Sequence, residues 1–524
     1  MKHKNFQILE SNDPDLESYG RVRRLSSTDA DEVIRAVSGD PEKEQKKNKL
    51  LSFLPLTAVA IFCIIYVCPI FPSYPTAHTC FAILILGAFL WATDLIPSYT
   101  TAYLIPFLSI WFSIGYDNNT GRRIPASQLA TRIAAKFMDP IIFVFLGSLT
   151  MSEALTKLQI TDRLSSFALS KISQKPKVVL FAIMLLNFST AAFLSNIAST
   201  TLLLTFTLPI IRSLSPNDPF IKQLLLGLAW SGNSGGLVTT IASVQNILAI
   251  KYINESGAAS ISFIQWIGFA GPTAFVILIL TYFYLRLRYK TSSDELMINS
   301  NTDFGKWTWK HTFTCAVTLI TIILWAMQEE FPGFFGHVGI TALIPVISFF
   351  STKILNSEDF GNFRWSTLSL MGGGIALGEA MNASGLLTLL SNGIANAMKG
   401  IPLFVIILIF LLVIGILVSV INHTSAAAIL FPVLNQIGLD IGSPILFLTL
   451  SAMMVGCAQL FHISSFPTAL VYGVQKHEVN NPMKQTNEHF LTGPEFFFAG
   501  WPVVLGSALI IASVGYGLVL VMDL

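Results

Sequence analysis

Two polar clusters interrupt otherwise oily sequence. Ser195-Asn196 opens "FLSNIASTTLLLTFTLPI" (193–210), and Asn422-His423-Thr424-Ser425 sits inside "VINHTSAAAILFPVL" (420–434). Hydroxyls and amides in such surroundings have two uses. They satisfy backbone groups freed where a membrane helix breaks, or they offer oxygens and N–H groups to an ion in a cavity. A second pair of interruptions follows, "GNSGGLVTTIASVQN" (232–246) and "FHISSFPT" (461–468). Gly232, Gly235 and Gly236 let backbones approach closely, and Pro467 removes a donor and ends a helix.

The chemistry implied is anion binding without fixed positive side chains, because no Lys or Arg lies in any of the four breaks. Each break turns one helix N-terminus inward, worth about +0.5 charge, so four supply roughly +2. A divalent anion asks for about that much. The helix C-termini left at the same breaks carry free carbonyls suited to a hard monovalent cation. The expected anion ligands are Ser195, Asn196, Ser243, Gln245, Asn246, Asn422, His423, Thr424, Ser465 and Thr468. The expected cation ligands are Ser195, Asn196, Ser199, Gly235, Asn422, Ser425, Ser464 and Pro467. A single Ser, Thr or Asn in a membrane helix often only packs helices together; four breaks repeated in register do not read that way. His423 and His462 are open between touching the anion, carrying a coupling proton and being satisfied buried histidines. Asp94, Glu153 and Glu379 are expected near span ends, at the water interface.

The elements that must hold these residues are membrane spans. Of 524 residues, 53% are hydrophobic and only 12% charged, against about 25% charged in soluble domains. Apolar stretches near 51–71, 79–97, 100–115, 138–156, 269–287, 309–327, 337–352 and 496–521 are long enough to span; those near 178–213, 221–250, 365–398, 401–434 and 443–473 are interrupted. Short or interrupted pairs of segments point to a transporter's binding site. The chain also repeats itself. "FLGSLTMSEALTKLQI" (145–160) is similar to "MGGGIALGEAMNASGL" (371–386), which puts Glu379 226 residues after Glu153, and Asn422 follows Asn196 by the same 226. Ser465 follows Ser243 by 222, and each half has a Phe-Ala-Gly with a nearby proline before its last span, "FAGP" (269–272) and "FAGWP" (498–502). The division read from this is a tail (1–50), an extra first helix (51–76), two halves (77–290 and 307–524) and a linker (291–306).

Lys46, Lys47 and Lys49 put the polar, disordered tail in the cytoplasm. If the first two clusters are tips of re-entrant hairpins, most other Lys and Arg also fall inside. Loop 116–137, with Arg122, Arg123, Arg132 and Lys136, is the exception on the outer side. The halves then enter the membrane from opposite sides, as inverted repeats. The fold class expected is an all-α polytopic membrane protein. Five cysteines in apolar segments (63, 68, 80, 315, 457) read as core residues. Arg23–Ser27 ("RRLSS") fits a solvated tail better than a kinase site, and Asn118-Asn119-Thr120 and Asn254-Glu255-Ser256 are sequons expected in outer loops.

At these residues the chain resembles the divalent anion/sodium symporter family, which contains the dicarboxylate and citrate carriers. "FAILILGAFLWATDLIPSYTTAYLIP" (81–106) is similar to that family's second and third spans. The carboxylate carriers read Ser-Asn-Thr at both hairpin tips, where this chain reads Ser195-Asn196-Ile197 and Ile421-Asn422-His423. Their first broken helix ends Pro-Pro-Asn, where this one reads Ala242-Ser243-Val244-Gln245-Asn246. "FLSNIAS", "SGNSGG…IASVQN" and "NHTSAAAILFP" are similar instead to the fungal and protist low-affinity phosphate transporters of the same family. That branch usually has an SPX domain ahead of the membrane part; only a 50-residue tail stands there here, so regulation of that type through this chain is not expected. The resemblance implies about eleven transmembrane helices, two re-entrant hairpins, a homodimer and elevator-type motion.

The function expected is secondary transport of inorganic phosphate, coupled to sodium or a proton, in the plasma membrane or a vacuole-type membrane. No other cofactor, no metal and no nucleic-acid partner is expected. A sodium-coupled dicarboxylate or citrate carrier is the alternative, and an anion channel is the alternative of another class. A nucleophile–base pair, metal-ligand spacing or nucleotide loop that would support an enzyme is not found.

Overall fold

The computed structural model describes residues 54–68, 70–117, 122–170, 173–257, 261–290, 305–327, 337–398, 400–478 and 481–522. The tail with its basic Arg23–Ser27 stretch, most of the linker and the Asn118 sequon lie outside them. Among the described residues the chain is almost all helix. The exceptions are two antiparallel ribbons, β1 Tyr116–Asp117 with β2 Arg122–Arg123 and β3 Gln475–Glu478 with β4 Asn481–His489.

After α1 (Leu54–Val67) come α2 Pro75–Thr93, α3 Ser98–Trp111, α4 Ala126–Phe137, α5 Ile141–Lys157, α6 Ile160–Ser170, α7 Pro176–Phe193, α8 Asn196–Ser213, α9 Pro219–Gly235, α10 Val244–Glu255 and α11 Phe263–Arg288. The same order is followed again. α12 Trp309–Met327, α13 Val338–Thr341 with α14 Leu343–Ser351, α15 Ser357–Gly361, α16 Trp365–Ser384, α17 Leu386–Ala397, α18 Leu403–Val420, α19 His423–Ile441, α20 Pro444–Cys457, α21 Phe466–Tyr472 and α22 Gly493–Ile510 close the chain, the last running through a π-turn into α23 Tyr516–Val521. Among the described residues, eight helices are long and apolar enough to cross a membrane, counting Ala126–Lys157 and Gly493–Val521 as one each.

Local chemistry sets where these helices start. Pro75, Pro176, Pro219 and Pro444 each stand in a first helical turn, where the missing N–H costs nothing and φ is already helical. Three sequence expectations shift. The segment expected as outer loop 116–137 contains the amphipathic helix α4, which buries Leu129 and Ile133 and pairs Arg132 and Lys136 with Glu379 and Glu255. The Phe-Ala-Gly motifs lie inside α11 and α22, because helix caps at Ser262 and Thr492 start those helices earlier. Asn254–Ser256 ends helix α10 and is no loop sequon.

Side chains pack into one large core running through α5 to α11 and α12 to α23. A smaller core joins α2, α3 and α4 to α16. Helix α16 serves both, with Leu368, Met371 and Ile375 in the large core and Leu370, Leu377 and Met381 in the small one. Its glycines make that possible. A methyl group on Gly373 would lie 2.5 Å from Ala102 Cα, one on Gly374 3.0 Å from Ala428 Cα, and one on Gly378 2.9 Å from Pro432 Cγ. Small residues four apart on facing helices give the close contact that membrane helices use in place of a hydrophobic driving force. The seam between the cores also carries an ion pair, Lys136 Nζ to Glu255 Oε1 at 2.5 Å, with Lys251 Nζ on the other carboxylate oxygen at 2.6 Å.

Candidate functional site

All four expected breaks are present. α7 stops at Phe193 and α8 starts at Asn196; α18 stops at Val420 and α19 starts at His423. α9 ends at Gly235 and α10 begins at Val244; α20 ends at Cys457 and α21 begins at Phe466, after a 3-10 turn at His462–Ser464. The residues that cap the four new helices are Ser195, Ser243, Asn422 and Ser465. Short polar residues are favoured there because their oxygens accept from N–H groups that have no partner inside the helix. Ser195 Oγ accepts from Ile197 N at 3.3 Å, Asn422 Oδ1 from Thr424 N at 3.0 Å, and Ser465 Oγ from Thr468 N at 3.4 Å in a reciprocal capping box. Ser243 is extended but its hydroxyl makes no cap bond.

The caps put Ser195 opposite Asn422 in the two halves. This is one residue off the register that pairs Asn196 with Asn422. The two asparagines therefore do different work. Asn422 is exposed and caps its own helix. Asn196 is the first residue inside α8, and its Nδ2 donates to Asn233 Oδ1 at 3.4 Å.

A buried polar chain runs on from there. Asn233 Nδ2 donates to Gln459 Oε1 at 3.0 Å and to Ser465 Oγ at 2.9 Å. One methyl-sized position, a Cβ on Gly236, would lie 2.6 Å from Ser243 Oγ, 3.1 Å from Asn196 Cβ and 3.3 Å from Asn233 O. So Asn196, Ser243 and Ser465, named from the sequence, come together around Asn233 and Gln459, which were not. Thr468 joins through its hydroxyl, 3.0 Å from Ser465 Oγ. His423 reaches the same loop: its buried Nε2 lies 2.6 Å from Ala458 O. A carbonyl only accepts, so that nitrogen carries a proton. Gln245 Nε2 lies 3.2 Å from where a Cβ on Gly456 would be, at the start of the second break.

Other expected ligands have structural occupations. Asn246 Nδ2 ties down the first break by donating to Gly236 O at 2.8 Å and Thr239 O at 2.7 Å. Ser199 Oγ sits inside the first hairpin, 2.6 Å from Asn187 Oδ1 and 2.5 Å from Thr190 Oγ1. Gly235 lets α9 lie on the first hairpin, since a Cβ there would be 2.7 Å from Phe188 Cα. Ser464 Oγ donates to Phe461 O at 2.8 Å, and Pro467 is buried in the first turn of α21. Ser425 is buried with an unpartnered hydroxyl, and Thr424 is half-buried outside the Asn233 chain. His462 stacks on Tyr472 at 3.8 Å, with Tyr472 on His489 at 5.3 Å. That occupies its ring away from the chain. Glu379 pairs with Arg132, and Asp94 accepts from Ser98 Oγ at 3.2 Å at the end of α2.

Asn233, Gln459 and Asn187 were the residues missed. A signal existed for two of them. Asn233 and Gln459 are 226 apart, the spacing already given by Glu153 and Glu379. Asn187 is an amide in the middle of an oily helix, and it is fully buried.

Eight apolar helices of spanning length, and breaks lined by uncharged polar groups, mark a multi-pass membrane protein. Residues 81–456 match the model of the citrate transporter family CitMHS, and the chain belongs to that family. An uncharacterized transporter of Schizosaccharomyces pombe is 29% identical over 462 residues, covering 88% of this chain and 52% of that protein. The inorganic phosphate transporter PHO87 of Saccharomyces cerevisiae is 29% identical over 448 residues, 85% of this chain and 47% of its own length. The sodium-dependent dicarboxylate transporter SdcS of Staphylococcus saprophyticus is 23% identical over 418 residues, 74% of this chain and 78% of its own. This chain thus spans about half the length of the two yeast relatives. In fold it is similar to the YdaH transporter of Alcanivorax borkumensis (TM-score 0.51, 13% identity, 82% of this chain and 99% of that one) and to MtrF of Neisseria gonorrhoeae (TM-score 0.51, 13% identity, 82% and 96%).

Proposed function

We propose that this protein is a secondary transporter of inorganic phosphate, moved with sodium or a proton. The observation that carries the reading is the uncharged, donor-rich chain built from both halves at the breaks. Small polar residues stand at the cap positions of all four helices that follow the breaks, and no Lys or Arg lies in the breaks. Helix N-termini of this kind hold anions, and the lack of fixed charge leaves room for a cation to complete the site. The likeness to a yeast protein named an inorganic phosphate transporter supports the choice of cargo. The SdcS likeness supports sodium as the coupling ion and keeps a dicarboxylate carrier as the second reading.

The two halves are read as inverted repeats, 77–290 and 307–524, working by alternating access as a homodimer with elevator motion. Their unequal packing supports that part of the reading. Arm α19 of the second hairpin packs along α16, whereas α8 of the first barely touches α5, the corresponding helix. In an inverted pair, the opposite access state exchanges these two arrangements. The tail is placed in the cytoplasm, and the membrane is a plasma or vacuole-type one.

The test is uptake of labelled phosphate, succinate and citrate into proteoliposomes under separately imposed sodium and proton gradients. Uphill phosphate accumulation under one gradient is expected, and it would exclude a channel, which only dissipates gradients. Succinate or citrate uptake without phosphate uptake would replace this cargo by the second reading.

A further inference from the structure

Asn233 is 1% exposed and Gln459 0% exposed. Each comes from its own half, 226 residues apart, and they are hydrogen-bonded to one another. The direction of the chain fixes what its end presents. Asn196 Nδ2 points at Asn233 Oδ1, so Asn233 turns its two N–H groups to Gln459 Oε1 and Ser465 Oγ. Gln459 must then aim Nε2 away, and this buried amide nitrogen has no acceptor. Ser243 Oγ, which with Asn233 O flanks the Gly236 position and is also buried, has no partner either. A buried donor without an acceptor costs roughly 1–3 kcal/mol, and native proteins leave few of them. Two such donors near Asn233, Ser243 in one break and Gln459 in the other, form a site for an acceptor-rich guest.

We propose that Gln459 Nε2 and Ser243 Oγ donate to oxygens of the transported oxyanion, and that the Asn233–Gln459 pair is a specificity-determining element joining the two halves of the site. This deepens the proposed function and rests on it for the identity of the anion. The cargo recognised by such a pair is a compact oxyanion with several exposed oxygens, stripped of water. Rejection follows for guests that cannot accept at both positions, because both donors would stay unpaired.

Three variants of the full chain in proteoliposomes test it, with inorganic phosphate, sulfate and succinate as probes. Gln459→Glu keeps an oxygen for Asn233 and replaces the free donor by an anionic oxygen. A tenfold or greater rise in KM for the carried anion is expected, relieved relative to the wild type as pH falls and the carboxyl takes up a proton. Ser243→Ala removes a hydroxyl that no protein group uses, so unchanged thermal stability with a three- to tenfold rise in KM is expected. Gln459→Leu removes donor and acceptor together and should lose at least as much. If Gln459→Glu and Ser243→Ala both keep wild-type KM, the proposal is overturned, because a merely structural glutamine predicts that result. If the wild type carries succinate and not phosphate, the cargo reading falls instead. The same variants measured on succinate then decide the role of the pair separately.

Discussion

The two hairpins share a plan and are held by different means. In the first, Asn187 on α7 works as a strut. Its Nδ2 donates to Leu228 O at 2.7 Å and lies 3.3 Å from both Thr200 Oγ1 and Ser231 Oγ, while Ser199 closes on its Oδ1. The arms α7 and α8 pack together along this polar seam. In the second, α18 is aliphatic nearly throughout, with Ile409, Val413, Ile416 and Leu417 exposed on its outer face. Its arms touch little; α19 leans instead on α16, α17 and α20. Near the tip, Ser419 Oγ donates to Gly415 O at 2.6 Å and accepts from Leu460 N at 3.2 Å, and His423 holds Ala458 O. The first hairpin is braced by polar bonds, between its arms and to α9, and the second is supported by close packing on its neighbours. A unit that has to keep its shape while neighbours change needs internal polar bonds. One seated against a helix can rely on close packing.

The largest effect expected is at the strut. Asn187→Leu leaves Ser199 and Thr200 short of a partner and should cost about 3 kcal/mol, since several buried polar groups lose their bonds. Ser419→Ala in the second hairpin should cost about 1 kcal/mol. Thermal unfolding of the purified protein measures both, and equal losses would break the comparison. Next comes the seat of the second hairpin. Gly374→Leu drives a side chain into Ala428; overpacking of this kind costs about 1–3 kcal/mol. Transport should fall at least tenfold while hydrogen exchange rises in α19 and not in α8. Faster exchange in α8 would show that the hairpins are not independently held. The smallest effect separates the two tip asparagines. Asn422→Ala removes a cap worth about 1 kcal/mol, to be read as a modest melting shift. Asn196→Ala cuts the chain at Asn233 and should raise the KM for the anion more than Asn422→Ala does. The reverse order in uptake assays would restore the two asparagines to equivalent roles.

Much of this was legible in the sequence because it is local. A polar pair in an oily run marks a break, and Ser195, Ser243, Asn422 and Ser465 have the residue types that cap helices. What the site residues do with their side chains was less legible. The matching of Asn196 to Asn422 followed letters, whereas the caps follow the backbone and match Ser195 to Asn422. His462 is left open by the sequence between ligand, proton carrier and satisfied buried histidine, and its ring stacks on Tyr472, a neighbour that only the packing supplies.

By itself the sequence determined that the chain is a many-spanned helical membrane protein, where its helices break, and that the breaks come twice. Those follow from hydropathy, backbone hydrogen bonding and capping, which act over a few residues. Only the tertiary structure decided that Asn233 and Gln459 meet, that Asn187 binds one hairpin together, and that α16 seats the other. These depend on which faces come within 3 Å across more than 200 residues of chain. No local preference encodes that distance; it is set by how distant stretches of the chain fit against one another.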